Sequence, residues 1–318
     1  MRLRPRRFLA ASAAALAATV LFATPAGATW SIDGVDPATG EVGVAVASCV
    51  PFDVSRVAVV VPGKGAGSVQ ANPNQRAGAP MAAAITAGRT PQQAVDSLTT
   101  TSFDPKAAER QFGVAVIGKG GAGWSGSGNS PVSLDRRNPA GTASAQGNIL
   151  VSDKVVTDAL AAFDRTDGPL AARLLAALEA GSAAGGDSRC GKQTASSAAL
   201  VVARPGDPVW AYTDGPLIGD PSKGAPAPST YVSVLKRRGA ANAVTALASA
   251  YRGADPVGGR VRLRDVEPGS ESAGVVVLIA LGLVVLVVAV AVVLVLRRRR
   301  RRRAAAADAA PADPVDAT

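Results

Sequence analysis

The chain of 318 residues contains no histidine and two cysteines, Cys49 and Cys190. That composition excludes a Ser-His-Asp or Cys-His arrangement and any histidine-ligated metal within this chain. A hydrolase built from it needs another base. The stretch PAGATWSI, Pro25 to Ile32, offers one. A cut after Ala28 makes Thr29 the first residue, with its hydroxyl as nucleophile. Its own α-amine, with an ordinary pKa of about 7.7–8.0, is then the base, acting directly or through one water. The alternative is that threonine follows the cut by chance.

The flanks say why a cut is expected there. Residues 1–7, MRLRPRR, are basic, residues 8–23 are uncharged and largely apolar, and Ala26 and Ala28 occupy the small-residue positions before the scissile bond. This is the pattern of a secretory signal peptide, residues 1–28. At the other end, 273–296 is 24 residues without a charge, followed by seven arginines, 297–303. As a helix it extends about 36 Å, enough to span a hydrocarbon core of roughly 30 Å. The arginines read as a stop-transfer run. They predict a single-pass membrane protein with its ectodomain outside and the 297–318 tail in the cytoplasm.

The formal charge of +10 follows from that topology. Removing the four arginines of the signal and the seven of the stop-transfer run from 34 basic residues leaves 23. Removing the three tail aspartates from 24 acids leaves 21, so the ectodomain is about +2. It gives no electrostatic case for nucleic acid. In an exported chain two cysteines are more often bridged than free, although spacing alone does not place them together.

Between the two ends, residues 29–251 are enough for one well-buried domain, with 252–272, rich in Gly, Pro and charge, expected as a linker. TWSID, GEVGVAVAS, RVAVVV and GAGSVQA read as strands, and QFGVAVIG-KGGA-GWSGSG as a hairpin with a glycine-rich tip. Asn74–Ala87, Thr90–Leu98, Asp153–Phe163 and Pro169–Ala180 read as helices, the second opening on a Thr-Pro cap. SSAALVVA and PVWAYTD are expected to form a hairpin across RPGD, and Tyr231–Tyr251 a last amphipathic helix. Strand clusters followed by helix pairs predict an α+β fold of two packed sheets covered by helices. GKGAGS and GKGGAG, at 63–68 and 118–123, lack the P-loop pattern and are expected as turns.

TWSIDGVDPATGEVGVAVAS, SVQANPN, ERQFGVAV, AQGNIL and PLAARLLAALEAGSAAGGDSR together resemble the family known as domain of unknown function 1028, from Thr29 to about Val202. The resemblance implies a four-layer αββα sandwich of the N-terminal nucleophile hydrolase type, here with one C-terminal transmembrane helix. It also implies an amide-cleaving architecture without an assigned substrate and without a cofactor. Members that begin Met-Thr expose the same threonine once methionine is removed.

On that fold Thr29 starts a central strand and faces the cleft between the sheets. Asn148 is then the candidate oxyanion donor, and Ser48 the polar group beside the terminal amine. Asp187 and Arg189 orient the α-ammonium or hold a substrate carboxylate, and Gln70 and Asn72 line the cleft. Each has a plainer alternative: a strand-end asparagine, a satisfied buried serine, an Asp-Arg pair closing its own loop. Cys49 stands where relatives commonly carry arginine, and Cys190 where glycine is usual. Their joint appearance favours a bridge between the two segments. The functional expectation is a membrane-anchored extracytoplasmic amidohydrolase acting on a small-molecule or peptide amide such as cell-wall peptide or an acyl-amino acid. The alternative is a non-catalytic binding or scaffold ectodomain.

Overall fold

A computed structural model describes residues 28–129, 132–212, 227–254 and 260–267. The predicted signal segment through residue 27, the 273–296 span and the tail lie outside the described residues. Among the described residues no helix is long and apolar enough to cross a membrane.

The described residues form two sheets. The larger uses β1 (Thr29–Asp36), β2 (Glu41–Ser48), β7 (Leu134–Arg137), β8 (Ala143–Asn148), β9 (Ser197–Ala203), β10 (Thr230–Leu235) and β11 (Val261–Val266), in the order β11-β10-β9-β2-β1-β8-β7. The smaller runs β3 (Ala58–Val61), β4 (Gly65–Gln70), β5 (Gln111–Val116), β6 (Gly120–Ser125). Helices α1 (Gly78–Thr86) and α2 (Pro91–Thr99) pack on β3–β6. Helices α3 (Lys154–Arg165), α4 (Leu170–Ala183) and α5 (Ala243–Gly253) pack on the larger sheet.

Three apolar layers hold this stack together. Met81, Ile85, Val95, Leu98, Phe112 and Val114 fill the space under α1 and α2. Trp30, Ile32, Phe163, Leu174, Leu178 and Leu247 fill the space under α3–α5. Val35, Val42, Val44, Val46, Val60 and Trp210 lie between the sheets. Strand side chains alternate between faces, so β1 and β2 supply both of the last two layers. Local signals act as read: Thr90 caps α2 in a capping box with Gln93 and proline at the first helical position. Both glycine-rich stretches include hairpin turns, with Gly63, Gly118 and Gly120 at positive φ.

Three expectations need correction. The described part of PVWAYTD, Pro208–Tyr212, does not pair back on β9. The strand next to β9 is β10, and Trp210 instead exchanges backbone hydrogen bonds with Val60 at the edge of the smaller sheet. Tyr231–Tyr251 is not one helix. TYVSVL is a strand, as its β-branched and aromatic alternation favours, and α5 begins after Asn242, whose side chain accepts from Val244 N. The 252–272 stretch, expected as a linker, carries β11, which pairs parallel to β10 across the α5 crossover. Its side chains Arg262–Asp265 are exposed, so it reads as charge, but charges on an outermost strand protect a sheet edge from further pairing. The four-residue β7 was not foreseen.

Cys49 and Cys190 are bonded. The bridge ties the end of β2 to the short helical stretch Ser188–Gln193, 141 residues later.

Candidate functional site

β1 lies between β2 and β8, and its register places Thr29 directly opposite Ser48 on one side and Asn148 on the other. Directly opposed residues point to the same face. Ser197, opposite Ser48 on β9, extends the line, giving a lateral row Ser197–Ser48–Thr29–Asn148. The next two rows across β2, β1 and β8 are Val46–Ser31–Gln146 and Val44–Asp33–Ser144. The inter-sheet layer is therefore polar around β1 and β8 and valine-rich from β2 outward.

Facing strands complete the polar part. Ser31 Oγ donates to Gln70 Oε1 at 2.7 Å and lies 3.0 Å from Ser68 Oγ. Gln146 Nε2 donates to Ser31 Oγ at 2.6 Å and to Asp33 Oδ2 at 2.9 Å. Gln70 Nε2 and Asn148 Nδ2 both donate to Gln111 Oε1, at 2.7 and 3.0 Å. Gly113 leaves room for the layer, since a Cβ there would fall 1.9 Å from Gln146 Oε1 and 2.3 Å from Asp33 Oδ2. Nearly every buried polar atom here has a partner, as such a layer requires. In this layer the exception is Asp33 Oδ1; the other buried polar side-chain atom without a partner among the described residues is Trp30 Nε1, on the opposite face of β1.

Asp33 is fully buried, and desolvation pushes its carboxyl up to about 7 against the partial opposition of hydrogen bonds from Gln146 and Ser68. The folded chain thus keeps this proton to near neutrality, whereas the unfolded chain loses it near pH 4. Folded-state stability should fall as pH rises through that window and level off above it. The whole contribution is on the order of 4 kcal/mol. Urea denaturation of the wild type and Asp33→Asn from pH 5 to 8 checks this. The variant should lose the downward slope, and parallel curves would remove Asp33 as its source.

Thr29 opens onto a cleft of about 430 Å³, whose lining also includes Ser48, Gln70 and Asn72. The remaining walls are mainly apolar, with Val50, Val54, Val59 and Val69 among them, and Arg56 and Tyr212 add polar groups. Thr29 Oγ1 donates to Ser48 Oγ at 3.2 Å. Ser48 Oγ donates in turn to the Ala28 carbonyl oxygen, which also accepts from Arg189 Nη2 at 3.1 Å. The peptide preceding Thr29 is thus gripped by two donors. Arg189 is oriented by the fully buried Asp187 through Nη2–Oδ2 at 2.7 Å and Nε–Oδ1 at 3.1 Å. Asp187 Oδ2 also accepts from Cys49 N at 2.7 Å. The disulfide and this carboxylate therefore fasten the same two segments beside Thr29.

The structure brings Thr29, Ser48, Gln70 and Asn72 to one cleft. Asn148 adjoins Thr29 in the row but does not line the cleft. One of its two amide hydrogens goes to Gln111, and no acceptor among the described residues takes the other. Gln70 is committed inward rather than toward the opening. Asn72 Nδ2 donates to Glu109 Oε2 at 2.9 Å, and both Ala71 and Asn72 have positive φ. That loop is held by Arg110, which donates to the Asn72 carbonyl and pairs with Asp104 at 2.8 Å. Asp187 and Arg189 pair with each other and meet the chain at Ala28 rather than in the cleft.

Sequence reasoning missed Ser31, Asp33, Ser68, Gln111 and Gln146, together with Arg56 and Tyr212. The polar layer did leave a signal: T-x-S-x-D on β1, S-x-Q-x-N on β8 and S-x-Q on β4 repeat with the period of a strand. Arg56, in the short 3-10 helix Val54–Val57, and Tyr212 lie 156 residues apart and left none.

The family described as "Family of unknown function (DUF1028)" matches residues 29–217. The chain belongs to this family. The DUF1028 match begins at Thr29, the first residue of β1. The fold is similar to the crystal structure of a Silicibacter pomeroyi protein carrying the same DUF1028 label, with a TM-score of 0.55 and 25% identity. The likeness covers 71% of this chain and 88% of that one. Comparison with curated proteins gives no match.

Proposed function

We propose that this DUF1028 protein is an amidohydrolase of the N-terminal nucleophile type. In this reading it is exported, anchored by the 273–296 segment, and active once the chain begins at Thr29. The observation that carries the reading is the position of the Ala28–Thr29 peptide. Its nitrogen belongs to Thr29, a residue lining the cleft, and Ser48 and Arg189, the latter oriented by Asp187, donate to the preceding carbonyl. Removal of residue 28 would leave an amine among those groups, with Ser48 Oγ free to accept from it.

In the reaction, Thr29 Oγ1 adds to the amide carbonyl carbon while its proton passes to the α-amine. The C–N bond then breaks, the departing nitrogen takes that proton, and an ester remains on Thr29. Water hydrolyses the ester, releasing the acid and restoring the hydroxyl. Asn148, with its uncommitted amide hydrogen one strand away, is the candidate donor to the developing oxyanion.

Amino-terminal analysis of the chain recovered from its native host tests the first requirement. A sequence starting Thr-Trp-Ser-Ile is expected, and one starting upstream removes the base. Incubation with a β-lactone then reports on the nucleophile, with a single adduct expected on Thr29.

A further inference from the structure

The proposed reaction leaves Arg56 without a role, and its surroundings are unusual for a cation. It is half-buried and is the one charged residue among the described residues lining the Thr29 cleft. Its guanidinium lies 4.8 Å from the Tyr212 ring centroid and 5.2 Å from that of Phe52, and Nη2 donates to the Tyr212 hydroxyl at 2.9 Å. No carboxylate of the described residues lies within ion-pair distance of it. Two neighbouring guanidinium groups outside the cleft lining are each paired with a carboxylate, Arg110 with Asp104 and Arg189 with Asp187.

A guanidinium carries five donors in a planar fork that matches a carboxylate in two parallel hydrogen bonds. Here the rings restrict the group and hold it at the wall, so little freedom is left to lose when an anion arrives. The walls beside it are valines, which favour an apolar group and strengthen a charge pair by excluding water. The cavity falls within the roughly 300–1,000 Å³ typical of small-molecule sites.

We infer that the cleft binds a small N-acylated amino acid with an apolar side chain, its free carboxylate paired with Arg56 and its side chain against the valine wall. The position of the susceptible amide at Thr29 rests on the hydrolase reading. The carboxylate contact does not. The assignment narrows the substrate to amides that bear an anion, and it makes Arg56 a specificity residue.

The test uses the full-length chain with Thr29→Ala, which prevents turnover, and calorimetric titration with N-acetyl-L-leucine and with its methyl ester. The acid should bind at least about tenfold tighter than the ester, the scale of one charge-assisted contact. Adding Arg56→Gln should erase that preference. Equal binding of acid and ester, binding of neither, or a preference that survives Arg56→Gln each overturns the assignment. The comparison of acid with ester in the single variant stands even if the double variant does not fold. Turnover by the wild type is measured separately by mass spectrometry. Acid-selective binding without turnover ends the hydrolase reading and keeps the Arg56 site, whereas turnover of amides without acid preference does the reverse.

Discussion

Thr29→Ala in the processed chain is expected to lower amide turnover by at least about a thousandfold, with KM little changed. The proposed chemistry passes through an ester on Oγ1, and alanine has no atom to form it. Substrate binding involves walls that the substitution does not touch, so the loss should sit in kcat. The fold should tolerate the change. Thr29 is buried, and its hydroxyl donates to Ser48 Oγ at 3.2 Å. Loss of that hydrogen bond is worth about 1 kcal/mol and a shift of roughly 2–4 °C in Tm. Thr29→Ser should keep activity and the β-lactone adduct. A Thr29→Ala enzyme with undiminished kcat would end the nucleophile assignment, whatever the mature amino terminus proves to be.

The second large effect concerns the disulfide. Cys49 and Cys190 close a loop over a sequence separation of 141. Chain-entropy reasoning gives such a closure about 5 kcal/mol, through restriction of the unfolded chain. Cys49→Ala/Cys190→Ala should therefore lower Tm by on the order of 10–20 °C for a domain of this size. Partial retention of the local arrangement is expected, because Asp187 still accepts from Cys49 N and Ser196 N still donates to the Ser48 carbonyl. Thermal unfolding of the oxidised protein and the double variant measures the difference. A change below about 1 kcal/mol would mean that the unfolded chain is already compact there.

Much of the architecture could be read from local patterns. The β1–β2 hairpin, the capped α2 and the amphipathic α3 each carry their own turn or cap chemistry, and local chemistry is what a single sequence displays. The errors fall where tertiary context decides. TYVSVL reads as part of a helix because the helical period of α5 follows it closely. VRLRDV reads as a linker because the charges that suit an outermost strand also suit a loop. PVWAYTD is the stretch nearest in sequence to β9, whereas Trp210 reaches the other sheet.

At the site, Thr29 was identified from elimination and a processing signal, and the resemblance supplied Ser48, Asn148 and the Asp187–Arg189 pair. The polar layer behind them was written in strand alternation but was not recognised as one face. Its members lie on four strands, and only register brings them together. Arg56 had no pattern of its own, because its significance comes from which rings flank it.

The grip on the Ala28 carbonyl has a consequence for timing. Ala28 is wholly inaccessible, and Thr29 is paired on both sides within a central strand. A protease needs several extended residues around the bond that it cuts, and here those downstream of the bond are locked between two neighbours. On the proposed reading, trimming at the Ala28–Thr29 bond would have to occur while this end of the polypeptide is still loose, before β2 and β8 close around it. A molecule that folded first would keep its Thr29 nitrogen in a peptide bond, so that the proposed maturation would be a race between cutting and strand assembly.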